Sequence, residues 1–143
     1  MKVADLLANK NQDVATISQE RSVSDALALL KERGIGALVV TSQQSPLAGI
    51  FSERDVVRAL ADRGADVLGE TVAALMTDVL TTCAPSTTVT DLMGLMTERR
   101  IRHVPVLDEG RLAGLVSIGD VVKARFDELE HERRDLLDYV SAR

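Results

Sequence analysis

Two kinds of apolar pattern alternate along the chain. GALVVT (36–41) and HVPVLD (103–108) are β-branched runs that predict strands, and each is joined by a turn to a second run, AGIFS (48–52) or LAGLVS (112–117). The dipeptide EG at 109–110 makes the second of these turns tight. Shorter runs, VATI (14–17) and LTTC (80–83), predict one more strand before each group. Between the runs, apolar residues recur at helical steps. One pair of helices opens with Ser22 to Asp25 and Thr88 to Asp91, a hydroxyl residue with an acid three positions on, and the first of them stops at Gly34. The other pair begins just after Ser52 and Ser117, with apolar positions 56, 57 and 60 or 121, 122 and 126. The predicted order is strand, helix, strand, strand, helix, twice over.

The order repeats because the sequence repeats. GIFSERDVVRAL (49–60) and GLVSIGDVVKAR (114–125) share six of twelve residues, and the offset of 65 grows to 66 and then 69 toward the N-terminus. It changes only across polar stretches such as NKNQ and TSQQSP, where insertions are tolerated. The copies span 1–64 and 70–126. Units of that size are marginal alone, so the two are expected to share one core. Residues 127–143 lie beyond the repeat, and Phe126, Leu129, Arg133, Leu136 and Val140, widened by Leu137, continue the last helix as a C-terminal extension with one apolar face. That face either folds back on its own module or meets a second copy, with Glu130 or Asp138 as partner for Arg133. We expect a homodimer.

Composition narrows the function. With 143 residues and 45% apolar side chains the chain can bury a real core, and a net charge of −5 with only three aromatics disfavours nucleic acid and anionic membranes as partners. Arg99, Arg100 and Arg102 are the one local feature that favours nucleic acid. The single cysteine, Cys83, with two histidines gives no zinc spacing and fits a reducing, cytoplasmic compartment. No apolar run approaches the ~20 residues of a membrane span and no signal peptide is evident, so the whole chain is expected to be mature and soluble. Nothing pairs His103 or Cys83 with a catalytic partner, so the expectation is a protein that is not an enzyme.

The opening VADLL (3–7) and VAALM (72–76), the stretch TCAPSTTV (82–89), the strand RIRHVPV (100–106) and the doubled G-h-x-S-x-x-D, with h apolar, together resemble the tandem CBS-domain pair, or Bateman module. The resemblance covers residues 1–126 and implies an α/β (α+β) fold in which two β-α-β-β-α repeats pack with pseudo-two-fold symmetry. It also implies a regulatory module without chemistry of its own, binding AMP, ADP, ATP, NAD or S-adenosylmethionine between the repeats and acting on a protein target in trans.

The nucleotide-binding set that the resemblance implies is Thr16, Ile17, Gly36, Ala37, Ser52, Asp55, Thr82, Cys83, Pro85, Arg102, His103, Val104, Pro105, Ser117 and Asp120. In it, Asp55 and Asp120 accept from ribose hydroxyls, Ser52 and Ser117 sit near phosphate, and Thr16 and Thr82 border the cleft. Gln19 stands where the second copy has the usual turn proline, Pro85. Arg102 and His103 would reach phosphate, and the first copy has Gly36 and Ala37 in their place, so the two sites are expected to be unequal.

Each of these residues also has a structural reading. S-x-x-D forms a capping box without any ligand, although Gly49 and Gly114, three residues ahead, allow another group to approach closely. The competing function is a dimerisation or partner-docking protein whose clefts are empty.

Overall fold

A computed structural model describes residues 1–10, 13–79 and 81–142. Its elements are α1 (Val3–Asn9), β1 (Thr16–Ser18), α2 (Val23–Arg33), β2 (Ala37–Thr41), β3 (Gly49–Ser52), α3 (Glu53–Arg63), α4 (Val72–Leu75), α5 (Val89–Arg99), β4 (His103–Asp108), β5 (Arg111–Ser117) and α6 (Ile118–Ser141). A 3-10 turn at Ala65–Gly69 precedes α4. The short helices α1 and α4, which open the repeats, are additional to the predicted order.

The hydroxyl residues before α2 and α5 cap them as read. Ser22 Oγ accepts from the Asp25 N–H and Thr88 Oγ1 from the Asp91 N–H, both at 3.1 Å. Past its last turn α2 ends on Gly34 at φ 63°, and α5 ends on Arg100 at φ 54°.

In the first repeat β1 runs parallel to β2, which pairs antiparallel with β3; in the second, β4 and β5 form an antiparallel pair. The predicted strand at 80–83 is reduced to one parallel bridge between Cys83 and Val106, while Leu80 lies outside the described residues. Pro105 explains the difference. Its counterpart Val39 donates its N–H to the Ala15 carbonyl at 3.1 Å, and a proline has no N–H to give.

Two cores form instead of the single shared one expected. The first gathers Val23, Leu30, Leu38, Val40 and Phe51 with Val67 of the connecting 3-10 turn and Val72 and Leu75 from the start of the second repeat. The second gathers Val89, Leu92, Met96, Val104 and Val106 with Val3 and Leu6 from the start of the first. Backbone hydrogen bonds fix this exchange symmetrically. The Val72 and Ala73 N–H groups donate to the Arg21 and Gln19 carbonyls at 2.8 and 3.0 Å, and Val3 and Ala4 donate to Thr87 and Pro85 at 2.8 and 2.9 Å. A repeat of this size closes its core with a helix borrowed from the other, so each core is incomplete without the other repeat.

The borrowed helices account for Gly49 and Gly114. A Cβ at Gly49 would stand 2.9 Å from both Met76 Sδ and the Thr77 carbonyl oxygen, and one at Gly114 would stand 2.5 Å from Leu7 Cδ2. The group that approaches these glycines is the end of the exchanged helix.

Helix α6 runs 24 residues. Val121 and Ala124 are buried, but Phe126, Leu136, Leu137 and Val140 are 53 to 65% exposed, so the extension does not fold back. Glu130 lies 3.7 Å from Arg133, as the charge pattern anticipates. Among the described residues no helix is long and apolar enough to cross a membrane.

Candidate functional site

The serines and aspartates of the repeated motif stand at the starts of α3 and α6, where β3 and β5 deliver them. Both pairs are capping boxes. The Ser52 N–H donates to Asp55 Oδ2 at 2.9 Å, and the Ser117 N–H to Asp120 Oδ2 at 2.9 Å. The first helical N–H of each helix is also used: Glu53 donates to the Gly36 carbonyl at 3.0 Å and Ile118 to the Arg102 carbonyl at 2.8 Å. Capping therefore explains the motif's spacing without a ligand. What distinguishes the copies is what else each aspartate meets.

Two clefts open between the repeats, and each combines the helix start of one repeat with the middle strand of the other. The first, about 760 Å³, is lined by Ser117 and Asp120 together with Val14, Ala15, Gly36 and Ala37 of the first repeat. The second, about 280 Å³, is lined by Ser52 and Asp55 together with Thr81, Arg100 and Arg102 of the second. Gly36 and His103 belong to both linings and form the wall between them. The cations of RIRHVPV thus face Asp55, the aspartate of the opposite copy.

Their electrostatics differ sharply. In the first cleft Lys10 Nζ donates to Asp120 Oδ2 at 2.8 Å and to the Leu115 carbonyl at 2.9 Å. Half-burial pushes the Asp120 carboxyl up, but the hydrogen bonds from Lys10 and the Ser117 N–H outweigh it and hold the group below the usual carboxylate value. In the second cleft Asp55 accepts, besides the Ser52 N–H, from two hydroxyls, with Thr77 Oγ1 donating to Oδ1 at 3.1 Å and Ser52 Oγ to Oδ2 at 3.2 Å. Around it stand Arg54, Arg58, Arg100 and Arg102, none of which makes a side-chain hydrogen bond or ion pair among the described residues. His103 is pushed below its ordinary value by burial and by the nearby Lys10, which favours the neutral ring.

Of the residues singled out from sequence, Gly36, Ala37, Ser52, Asp55, Arg102, His103, Ser117 and Asp120 line one or both clefts. Thr16, Ile17, Thr82, Cys83, Pro85, Val104 and Pro105 do not. Strand alternation sends Ile17 into the first core and leaves Thr16 exposed, so Val14 and Ala15 line the cleft one step earlier. The same slip places Thr81 in the second cleft and Thr82 in solvent. Cys83 is in the second core, where burial raises its thiol. Val104 is fully buried there, Pro105 is buried beside it, and the Pro85 carbonyl holds α1.

Sequence reasoning missed Lys10, Thr77, Arg54 and Arg58. Lys10 and Thr77 follow the exchanged helices in stretches where the copies no longer align. Arg54 had a signal: laid over the second copy at the offset of 65 it meets Gly119, an asymmetry of the same kind as Arg102 over Gly36.

Two interlocked repeats with ligand-sized clefts at their junction define a paired-repeat module. The family model described as CBS domain matches residues 3–62 and 72–127, and the chain belongs to the CBS domain family. It is 40% identical over 125 residues to a mitochondrial CBS domain-containing protein of Arabidopsis thaliana, a match covering 85% of this chain and 59% of that relative. The crystal structure of a CBS-domain-containing protein of Agrobacterium tumefaciens is 47% identical, with a TM-score of 0.82, covering 87% of this chain and 92% of that one. Two more distant structures share the fold at 24% identity. A CBS domain protein of Pyrobaculum aerophilum complexed with AMP has a TM-score of 0.74, covering 84% of this chain and 89% of that one. The CBS domain pair of the protein MJ0100, complexed with 5-methylthioadenosine and S-adenosylmethionine, has a TM-score of 0.78, covering 90% and 98%.

Proposed function

We propose that the protein is a regulatory module that binds an adenosine nucleotide in the second cleft and acts on a partner protein in trans. The observation that carries this reading is that Asp55 lines a hollow of about 280 Å³ together with four arginines that make no side-chain hydrogen bond or ion pair among the described residues. A carboxylate oriented by Ser52 and Thr77 suits a pair of ribose hydroxyls, and guanidinium groups suit phosphate. Arg102 is the nearest of them in sequence to the wall residue His103, whose neutral ring offers a flat, uncharged face. AMP in one distant structure, and 5-methylthioadenosine with S-adenosylmethionine in another, indicate that this fold accommodates adenosine ligands.

The first cleft is the weaker site in this reading. Asp120 already holds the Lys10 ammonium on Oδ2, so a ribose there would share the carboxylate with a fixed cation. The burial of Cys83 in the core favours binding over catalysis.

Thermal unfolding with AMP, ADP, ATP, NAD and S-adenosylmethionine tests the proposal. A ligand at a hundredfold excess over its dissociation constant stabilises the folded state by about 2.7 kcal/mol, which a melt resolves. The expected outcome is a rise with one or more of the nucleotides. No rise with any of the five at millimolar concentration overturns the reading.

A homodimer completes it. Val57 on α3 and Val122 on α6, equivalent positions of the two repeats, are 65 and 55% exposed beside the exposed Phe126. Paired across a two-fold axis, such faces cover one another. Light scattering should give twice the chain mass; the mass of one chain contradicts the dimer.

A further inference from the structure

A third hollow of about 350 Å³ adjoins the second cleft. Arg54, Arg100, Ile101 and Arg102 line both, so the two spaces meet at a row of three arginines. Their linings differ in charge. The cleft carries Glu53, Asp55 and Asp78 as well, whereas the hollow adds only Met96, Thr97 and Ile118 and has no acid. Acidic groups are thus confined to the cleft, where Arg58 also stands, and the three arginines at the junction are the charged groups that reach the hollow.

The pseudo-symmetry shows that this row is peculiar to one side. At offsets of 65 and 66, Arg54, Arg100 and Arg102 stand where the other copy has Gly119, Gly34 and Gly36. The scaffold works with no side chain at any of the three positions. Arg100 is the most telling. It ends α5 in the left-handed conformation, φ 54°, that Gly34 takes at φ 63° at the end of α2. A side chain makes that conformation costly and glycine does not. No hydrogen bond or ion pair of the Arg100 side chain offsets the cost among the described residues.

We infer that Arg54, Arg100 and Arg102 form a polyphosphate-holding extension of the second cleft, so that its ligand is an adenosine nucleotide with two or more phosphates. The inference rests on the proposed adenosine site and specifies its ligand. Asp55 takes the ribose end, Arg102 bridges the first phosphate at the junction, and Arg54 and Arg100 take the terminal phosphates in the acid-free hollow. Fixed guanidinium forks match successive phosphates by paired N–H donation, so each added phosphate gains a partner.

Calorimetric titration of the full chain with AMP, ATP and inorganic tripolyphosphate, repeated for R54G and R100G, tests this. ATP should bind at least about tenfold more tightly than AMP, the scale of one charge-assisted hydrogen bond. Each variant should pull the ATP-to-AMP affinity ratio toward one, and R100G, which places glycine at a left-handed position, should melt no lower than the wild type. Equal affinity for AMP and ATP, or a ratio unchanged in both variants, overturns the inference while leaving the adenosine site intact. Tripolyphosphate binding that depends on Arg100, with no binding of AMP or ATP, overturns the adenosine reading and upholds the arginine row. Absence of binding by all three overturns both. A short single-stranded DNA that binds more tightly than ATP and displaces it also overturns the inference, because it makes the row a nucleic-acid contact.

Discussion

In the first cleft Asp120 is held by the Lys10 ammonium at 2.8 Å; in the second, the equivalent Asp55 accepts from two hydroxyls and an amide, and the four arginines that share its cleft make no side-chain hydrogen bond or ion pair among the described residues. The scaffold of the two sites is the same, down to the capping boxes and the carbonyls that receive the first helical N–H groups. The difference comes from residues the two copies do not share. Lys10 and Thr77 arrive on the segments that follow the exchanged helices, and three of the four arginines, Arg54, Arg100 and Arg102, stand where the other copy has glycine. Duplication therefore built two equivalent frames, and the neighbours decide that one aspartate pairs with a cation and the other with hydroxyls.

The largest expected effect tests the frame itself. Gly49→Ala would press a methyl against the Thr77 carbonyl, which belongs to the backbone and cannot swing away, whereas Gly114→Ala meets the flexible end of Leu7. We expect Gly49→Ala to cost about 1–3 kcal/mol, the usual range for overpacking, and Gly114→Ala distinctly less. Urea unfolding compares them, and equal costs would contradict the asymmetry of the two crossings.

A second test sharpens the contrast at the ligand. Arg102→Ala should weaken AMP by about 1.5–3 kcal/mol, the worth of a hydrogen bond to a charged group, and spare adenosine. Calorimetry with both ligands decides it; an equal loss for the two removes Arg102 from the phosphate.

The smallest effect concerns Lys10. The Lys10–Asp120 pair is about a third exposed on each side, so it contributes on the order of 1 kcal/mol or less. Asp120 is held below the ordinary carboxylate value of 3.8, so this stabilisation is present above that pH and is lost as pH falls through the lower folded value. The stability difference between wild type and Lys10→Met should therefore be full at neutral pH and vanish in acid. A difference that persists at pH 2 would mean that Lys10 stabilises by packing alone.

Much of the frame was legible because it is local and written twice. The caps at Ser22, Thr88, Ser52 and Ser117 and the strand HVPVLD depend on neighbours within a few residues, so the spacing of residue types reveals them. The exchange of α1 and α4 was not legible: it joins Val3 to Thr87 and Val72 to Arg21, and each copy looks self-sufficient when read alone. The same blindness affected the site. Arg102 and His103 sit in the second copy, and only the packing of the repeats shows that they line the cleft of Asp55. Thr16 and Thr82 were named where Ala15 and Thr81, one residue earlier in each copy, line the clefts.

The central claim is that Asp55 and its arginines form the functional site and that Lys10 keeps Asp120 from being its equal. Calorimetric titration of AMP and ATP into wild type, Asp55→Asn and Asp120→Asn tests it most directly. The account predicts that Asp55→Asn removes the tighter binding event while Asp120→Asn leaves it within about threefold, less than the tenfold that 1.4 kcal/mol represents. Loss of the tighter event in Asp120→Asn, with Asp55→Asn binding as the wild type does, would contradict it.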